Sequence, residues 1–267
     1  MPAIHRELAH AKLTRSLHIT GVRPDGFHLL SSEMVALDLV DELYLSEGDG
    51  LEIVDEIAWV GKQSDDRLDL PQGSANLVSR ALEVVGRSAH VRLVKRIPPG
   101  AGLGGGSSDA AGVLRWAKVL DPKVAVTLGA DVPFCLAGGR ARVTGIGEFL
   151  EACPFEDRTF LLLTPPYAVS TASVYAAYDA LHERGGDAPC RNDLEAAAQL
   201  VEPRLSRFRQ LLREATERVP QLAGSGSTWF VECGRDDGDR LLSVVKDAVS
   251  SAEMRAMVAL CHTVGAF

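Results

Sequence analysis

Nothing in this 267-residue chain approaches the ~18 consecutive apolar residues of a membrane span, so a membrane-crossing helix is not expected. Residues Met1 to Lys12 carry charge throughout and lack the apolar centre of a signal peptide; the expectation is a cytoplasmic protein. Positive charge is short as well. The net charge is −8 with acidic residues spread along the chain, which leaves no basic footprint for nucleic acid. The one basic cluster, Arg204, Arg207, Arg209, Arg213 and Arg218, interleaves with Leu205, Phe208, Leu211, Leu212 and Val219 at helical spacing and reads as a solvated helix face. The five cysteines, Cys135, Cys153, Cys190, Cys233 and Cys261, contain no C-x-x-C pair, so reduced structural thiols are expected. The seven histidines contain no H-x-x-x-H pair, and no transition-metal site is proposed. With 46% hydrophobic and 24% charged residues, the chain has the composition of a soluble protein of one large or two modest domains.

What the chain does have is glycine in one place. Gly100-Ala101-Gly102-Leu103-Gly104-Gly105-Gly106-Ser107-Ser108 follows a strand-like segment and precedes a helix-like one. Glycine lets main-chain N–H groups turn inward and approach a ligand with no Cβ in the way. The following helix offers unpaired N–H groups and a positive dipole end to the same anion. The pattern predicts a phosphate cradle.

Around it, Leu13, Leu17 and Ile19 mark an extended segment, and Val35 to Leu39 and Leu43 to Leu45 read as two further short strands. Ser74 is placed to cap a helix carrying Leu77, Val78, Ala81, Leu82 and Val85. A strand from Val91 to Ile97 ends at Pro98-Pro99, and the helix after the glycine run closes at Asp121-Pro122. A composition change near 152–158 suggests a hinge. Beyond it, Phe160 to Thr164 reads as a buried strand, with helices over 171–184, 193–200, 203–218 and 239–249 and a last strand over 255–263. Strands and helices in mixed order predict α+β layers in two lobes, residues 1–154 and 155–267.

Three phosphate-loop chemistries compete for the glycine run. The P-loop needs lysine directly after its last glycine, and none stands there. The dinucleotide fingerprint matches at Gly100, Gly102 and Gly105, but roughly 95 residues of strand-rich sequence precede it and no clear second strand follows. The third is a kinase loop of the form strand, Pro-Pro-Gly, glycines, Ser-Ser, helix. Pro98 to Ala111 resembles the ATP loop of the GHMP kinases, and within that superfamily the chain is most similar to the 4-diphosphocytidyl-2-C-methyl-D-erythritol kinases of non-mevalonate isoprenoid biosynthesis. Ala11-Lys12-Leu13, Gly21 to His28, Leu128 to Phe134 and Gly224 to Thr228 agree in order and spacing, with Gly139 to Glu148 and Asn192-Asp193-Leu194 in support.

The resemblance implies an N-terminal lobe like ribosomal protein S5 domain 2, a ferredoxin-like C-terminal lobe, and transfer of phosphate from ATP, with Mg²⁺, to the 2-hydroxyl of a cytidine-diphosphate-linked methylerythritol. It implies Asp131 as the base and Lys12 as the active-site lysine. Pro98, Pro99 and Gly100 to Ser108 would hold ATP, with Asn76 and Lys95 near the adenine. Phe27, His28 and Tyr175 would hold the cytidine ring, and Thr14 and the loop Gly224, Ser225 and Gly226 would lie near the substrate. Without the resemblance, Asp131 reads equally as a helix cap, Lys12 as a surface lysine, and Phe27 and Tyr175 as core residues. Asp109 is expected to support the loop, and Ser107 or Ser108 to reach phosphate or Mg²⁺. A monomer or weak homodimer with a small-molecule substrate is expected.

Three departures from the family pattern stand out: Thr14 where asparagine is usual, Phe27 where tyrosine is commoner, and a short segment from Asp121 to Thr127. They keep open another alcohol kinase of the superfamily, or a nucleotide-binding homologue with weak or no turnover.

Overall fold

The computed structural model describes residues 4–62, 70, 73–182 and 191–267. Cys190 and the end of the helix expected over 171–184 lie outside them. In chain order the elements are β1 (His5–Val22), β2 (His28–Ser46), β3 (Leu51–Asp55), β4 (Trp59–Gly61), α1 (Leu77–Val84), β5 (His90–Lys95), α2 (Gly105–Ala117), α3 (Pro122–Leu128), α4 (Val132–Ala137), β6 (Arg140–Gly145) and β7 (Phe149–Ala152). They continue as β8 (Thr159–Thr164), α5 (Thr171–His182), α6 (Glu195–Val201), α7 (Leu205–Thr216), β9 (Gln221–Leu222), β10 (Trp229–Cys233), α8 (Arg235–Ser251) and β11 (Arg255–His262).

Two sheets organise the chain. The first runs β3-β5-β2-β6-β7 with β1 paired to β2, and the second runs β4-β11-β8-β10-β9. Alternating apolar residues of β1, β2 and β5 bury against α1, α2, α3 and α4, while α5 to α8 cover the second sheet. A third apolar cluster joins Leu13, Val35, Leu37 and Leu103 to Phe160, Phe230 and Met257, so the two sheets share buried surface beneath the glycine run. Sheet membership changes between β7 and β8, but β4 pairs with β11, and Thr263 bridges back to Leu37. At the seam Arg15, Arg140 and Arg158 alternate with Glu33, Glu156 and Glu232 in a six-member ion network that spans both sheets.

Several local expectations change. The two short strands are one 19-residue strand, β2. Asn76, not Ser74, caps α1, accepting from the Val78 N–H at 2.8 Å. α2 stops at Ala117, where Lys118 takes a positive φ of 61°, and Asp121 instead caps the next helix through the Lys123 N–H at 2.8 Å. The short 121–127 segment therefore forms α3, beside α4.

Candidate active site

β1 and β2 pair with register shifts on either side of Lys12 and Thr14. Irregularities of this kind turn a strand and re-aim its side chains. Here the Lys12 N–H donates to the Leu103 carbonyl at 2.9 Å, tying the strand to the glycine loop. Both Lys12 and Thr14 are buried, and the ammonium donates to Thr14 Oγ1 at 3.2 Å and lies 3.2 Å from Asp131 Oδ2.

Asp131 occupies the position before α4 but makes no side-chain capping bond, because its carboxylate turns to Lys12. The cap reading is thereby replaced by an ion pair. Pro133 at the head of the helix has no N–H to satisfy, so the turn costs little.

The glycine loop threads between these groups and the second sheet. Gly100, Gly102 and Gly104 all have positive φ, a backbone that side-chain-bearing residues rarely adopt. At Gly102 a Cβ would stand 2.2 Å from the Ala223 carbonyl oxygen and 2.8 Å from that of Gly226, so the two glycine loops lock main chain to main chain. We expect Gly102→Ala to cost about 2 kcal/mol or more in stability, read by chemical denaturation. At Gly104 a Cβ would meet Lys12 Cγ at 2.7 Å, so the lysine stem lies directly over the loop. α2 begins without a side-chain cap, leaving its first N–H groups for an anion.

These parts open onto one cleft of about 980 Å³, the size of a site for a large ligand or two smaller ones. Its lining brings together Lys12, Asp131, the glycine loop and Ser107 with Phe27, His28 and Tyr175. Tyr175 lies 4.8 Å from the His28 ring at 35°. Burial first, and then the Asp131 charge, pushes its phenol up to about 12, so it stays a neutral hydroxyl. Burial likewise pushes the Cys135 thiol up to about 12, which leaves no thiolate near Asp131. Asn192 braces the second loop, donating to the carbonyls of Leu222 at 2.9 Å and Gly224 at 2.7 Å. Ser225 Oγ bonds Thr171 Oγ1 at 2.8 Å.

Comparison with known proteins gives the family. Residues 70–139 match the family described as GHMP kinases N terminal domain. A 4-diphosphocytidyl-2-C-methyl-D-erythritol kinase of Paracoccus denitrificans is 38% identical over 247 residues, covering 86% of this chain and 87% of that protein. The chain belongs to the 4-diphosphocytidyl-2-C-methyl-D-erythritol kinase family. A relative of the same name from Mesorhizobium japonicum is 34% identical over 83% of this chain and 84% of its own length. A crystal structure of 4-(cytidine 5'-diphospho)-2C-methyl-D-erythritol kinase superposes with a TM-score of 0.72 at 31% identity, covering 98% of this chain and all 100% of that one. A putative homoserine kinase from Listeria monocytogenes, 18% identical with a TM-score of 0.58 over 99% and 98% of the two chains, shares the fold. The α+β architecture is the two-lobed fold of the GHMP kinases.

Within this kinase family fold, Lys12, Thr14, Phe27, His28, Gly100, Ala101, Gly102, Gly104, Gly105, Gly106, Ser107, Asp131, Tyr175, Gly224, Ser225 and Gly226 all line the cleft. Six expected contacts do not. Leu103 is buried in the apolar cluster between the sheets. Pro98 and Pro99 form the turn into the loop without facing the cavity. Ser108 donates to the His10 carbonyl at 2.5 Å, so its hydroxyl is spent on β1 and only Ser107 faces the cleft. Asn76 is the helix cap. Lys95 is buried beneath the loop between Asp41 and Asp109, its ammonium 2.6 Å from the latter. It ties the strand before the glycines to the helix after them, and Asp109 supports the loop through it. Sequence reasoning missed Asn192 as a brace and Asp179, which lines the cleft and meets His28 at 2.6 Å.

Proposed function

We propose that this chain is an ATP-dependent kinase that phosphorylates the 2-hydroxyl of 4-diphosphocytidyl-2-C-methyl-D-erythritol in non-mevalonate isoprenoid biosynthesis. The observation that carries the reading is the Lys12–Asp131 pair at 3.2 Å, set in the same cleft as the glycine loop and the uncapped start of α2.

Phosphoryl transfer to an alcohol asks the protein mainly to position reactants and offset charge. The main chain from Gly100 to Ser107 cradles the polyphosphate, and its terminal group points toward Lys12. Asp131 orients the acceptor hydroxyl and takes its proton as the new O–P bond forms and ADP leaves. The Lys12 ammonium, desolvated and held by Thr14, offsets charge on the transferring group. Among the described residues no group of three His, Cys, Asp or Glu side chains could hold a metal ion. Magnesium would arrive with ATP, the Ser107 hydroxyl in the cleft lining being available to it, and would neutralise phosphate charge there. A cytoplasmic monomer or weak homodimer belongs to the same reading.

Phe27 is 58% exposed on the cleft rim, which suits stacking on a base. Phe27→Ala is expected to raise the substrate KM about tenfold while kcat moves less. The purified chain with Mg·ATP and the cytidylated substrate should yield ADP and a monophosphorylated product. ATP bound with no transfer to this alcohol, or transfer only to a different one, overturns the proposal.

A further inference from the structure

His28 and Asp179 are 151 positions apart and meet across the cleft wall, His28 Nε2 lying 2.6 Å from Asp179 Oδ1. The histidine side chain is 9% exposed and the carboxylate 52%. The ring is fixed in two further directions, by Tyr175 at 4.8 Å and by the Tyr178 ring, edge-on at 6.0 Å and 83°. Tyr175 and Asp179 stand four residues apart on α5, so one helix face supplies both the stacking surface and the carboxylate.

A carboxylate only accepts, so the hydrogen of the neutral imidazole must sit on Nε2. The other nitrogen, Nδ1, is then a bare lone pair, and among the described residues nothing pairs with it. His28 lines the cleft together with Phe27 and Tyr175, so its ring belongs to the ligand site. Which tautomer a histidine holds is set by the bond its second nitrogen makes.

We propose that Asp179 is a positioning residue that fixes the His28 tautomer and so makes the pocket select a base bearing an exocyclic amino group, as in cytosine, over one with a carbonyl there, as in uracil. The proposal rests on the nucleobase end of the cleft assigned under Proposed function. An amino hydrogen meets the Nδ1 lone pair; the uracil O4 would set one acceptor against another. A site that leaves a buried polar pair unmatched rejects the wrong ligand more strongly than a missing contact does.

The test uses CDP and UDP as probes, with a non-hydrolysable ATP analogue present to fill the other end of the cleft. In the parent chain CDP should bind about tenfold more tightly than UDP, the worth of one matched hydrogen bond. Asn can donate to Nε2 as well as accept from it, so Asp179→Asn should collapse that ratio toward one, and Asp179→Glu should restore part of it. Nitrogen-15 NMR of histidine-labelled protein should show the proton on Nε2 of His28 in the parent and a shift toward Nδ1 in Asp179→Asn. Equal binding of CDP and UDP by the parent, a ratio unchanged in Asp179→Asn, or a parent proton on Nδ1 each overturns the inference. None of these readouts needs turnover: discrimination without phosphate transfer sinks the kinase assignment and leaves this one standing.

Discussion

Asp131→Asn lowers kcat about a hundredfold or more while ATP affinity stays near that of the parent chain. The amide keeps the size and one oxygen of the carboxylate, so the turn before α4 persists, but it cannot take the acceptor's proton. It also removes the charge 3.2 Å from the Lys12 ammonium. Lys12 keeps its bond to Thr14 and its place over Gly104, so the cradle survives. Steady-state kinetics with calorimetric ATP titration separates the two effects. A variant that turns over like the parent takes Asp131 out of the mechanism, and one that loses ATP affinity first makes it a part of the cradle.

Lys95→Met is expected to cost about 3–5 kcal/mol of stability, the penalty for removing one partner from buried charges. Lys95, Asp41 and Asp109 are all buried, and Asp41 accepts from the main-chain N–H groups of Arg96 at 2.5 Å and Ile97 at 2.8 Å besides the ammonium. Asp109 fares worse: one oxygen takes the ammonium, and the buried Oδ1 has no hydrogen-bond donor among the described residues. Burial, against the pull of Lys95, pushes its carboxyl up to about 7. A carboxyl raised in the folded state favours folding while protonated; that contribution is whole below its ordinary range and fades as pH rises through about 7. The parent chain should therefore lose part of its stability between about pH 4 and about pH 7, and Asp109→Asn should flatten that slope. Denaturation at several pH values checks both. The loss in Lys95→Met should also be smaller on the acid side, where Asp109 carries a proton. A Lys95→Met chain as stable as the parent would show that the ammonium supports nothing.

The parts of the site that were legible in sequence are those whose chemistry is local. Gly100 to Ser107 declares itself because glycine serves three alternate positive-φ positions, Gly100, Gly102 and Gly104, and the apolar sets of α1 and α7 show at helical spacing. What escaped depends on partners far along the chain. β2 reads as two strands because Asp41 and Glu42 interrupt its apolar pattern, yet Asp41 pairs with Lys95 and Glu42 with Arg6 and Arg96. Buried ion pairing let one strand run through. Lys95 itself reads as a ligand contact until its two carboxylates are located, and Asn76 until the Val78 N–H is seen to need it. Asp179 carries no motif in the sequence; only folding brings it to His28.

One structure tests the central claim most directly: the chain bound to a non-hydrolysable ATP analogue. The triphosphate should lie on the main-chain N–H groups of Gly100 to Ser107, its last phosphate beside Lys12 and facing Asp131. A triphosphate lodged elsewhere, or an Asp131 side chain turned away from it, would contradict the account.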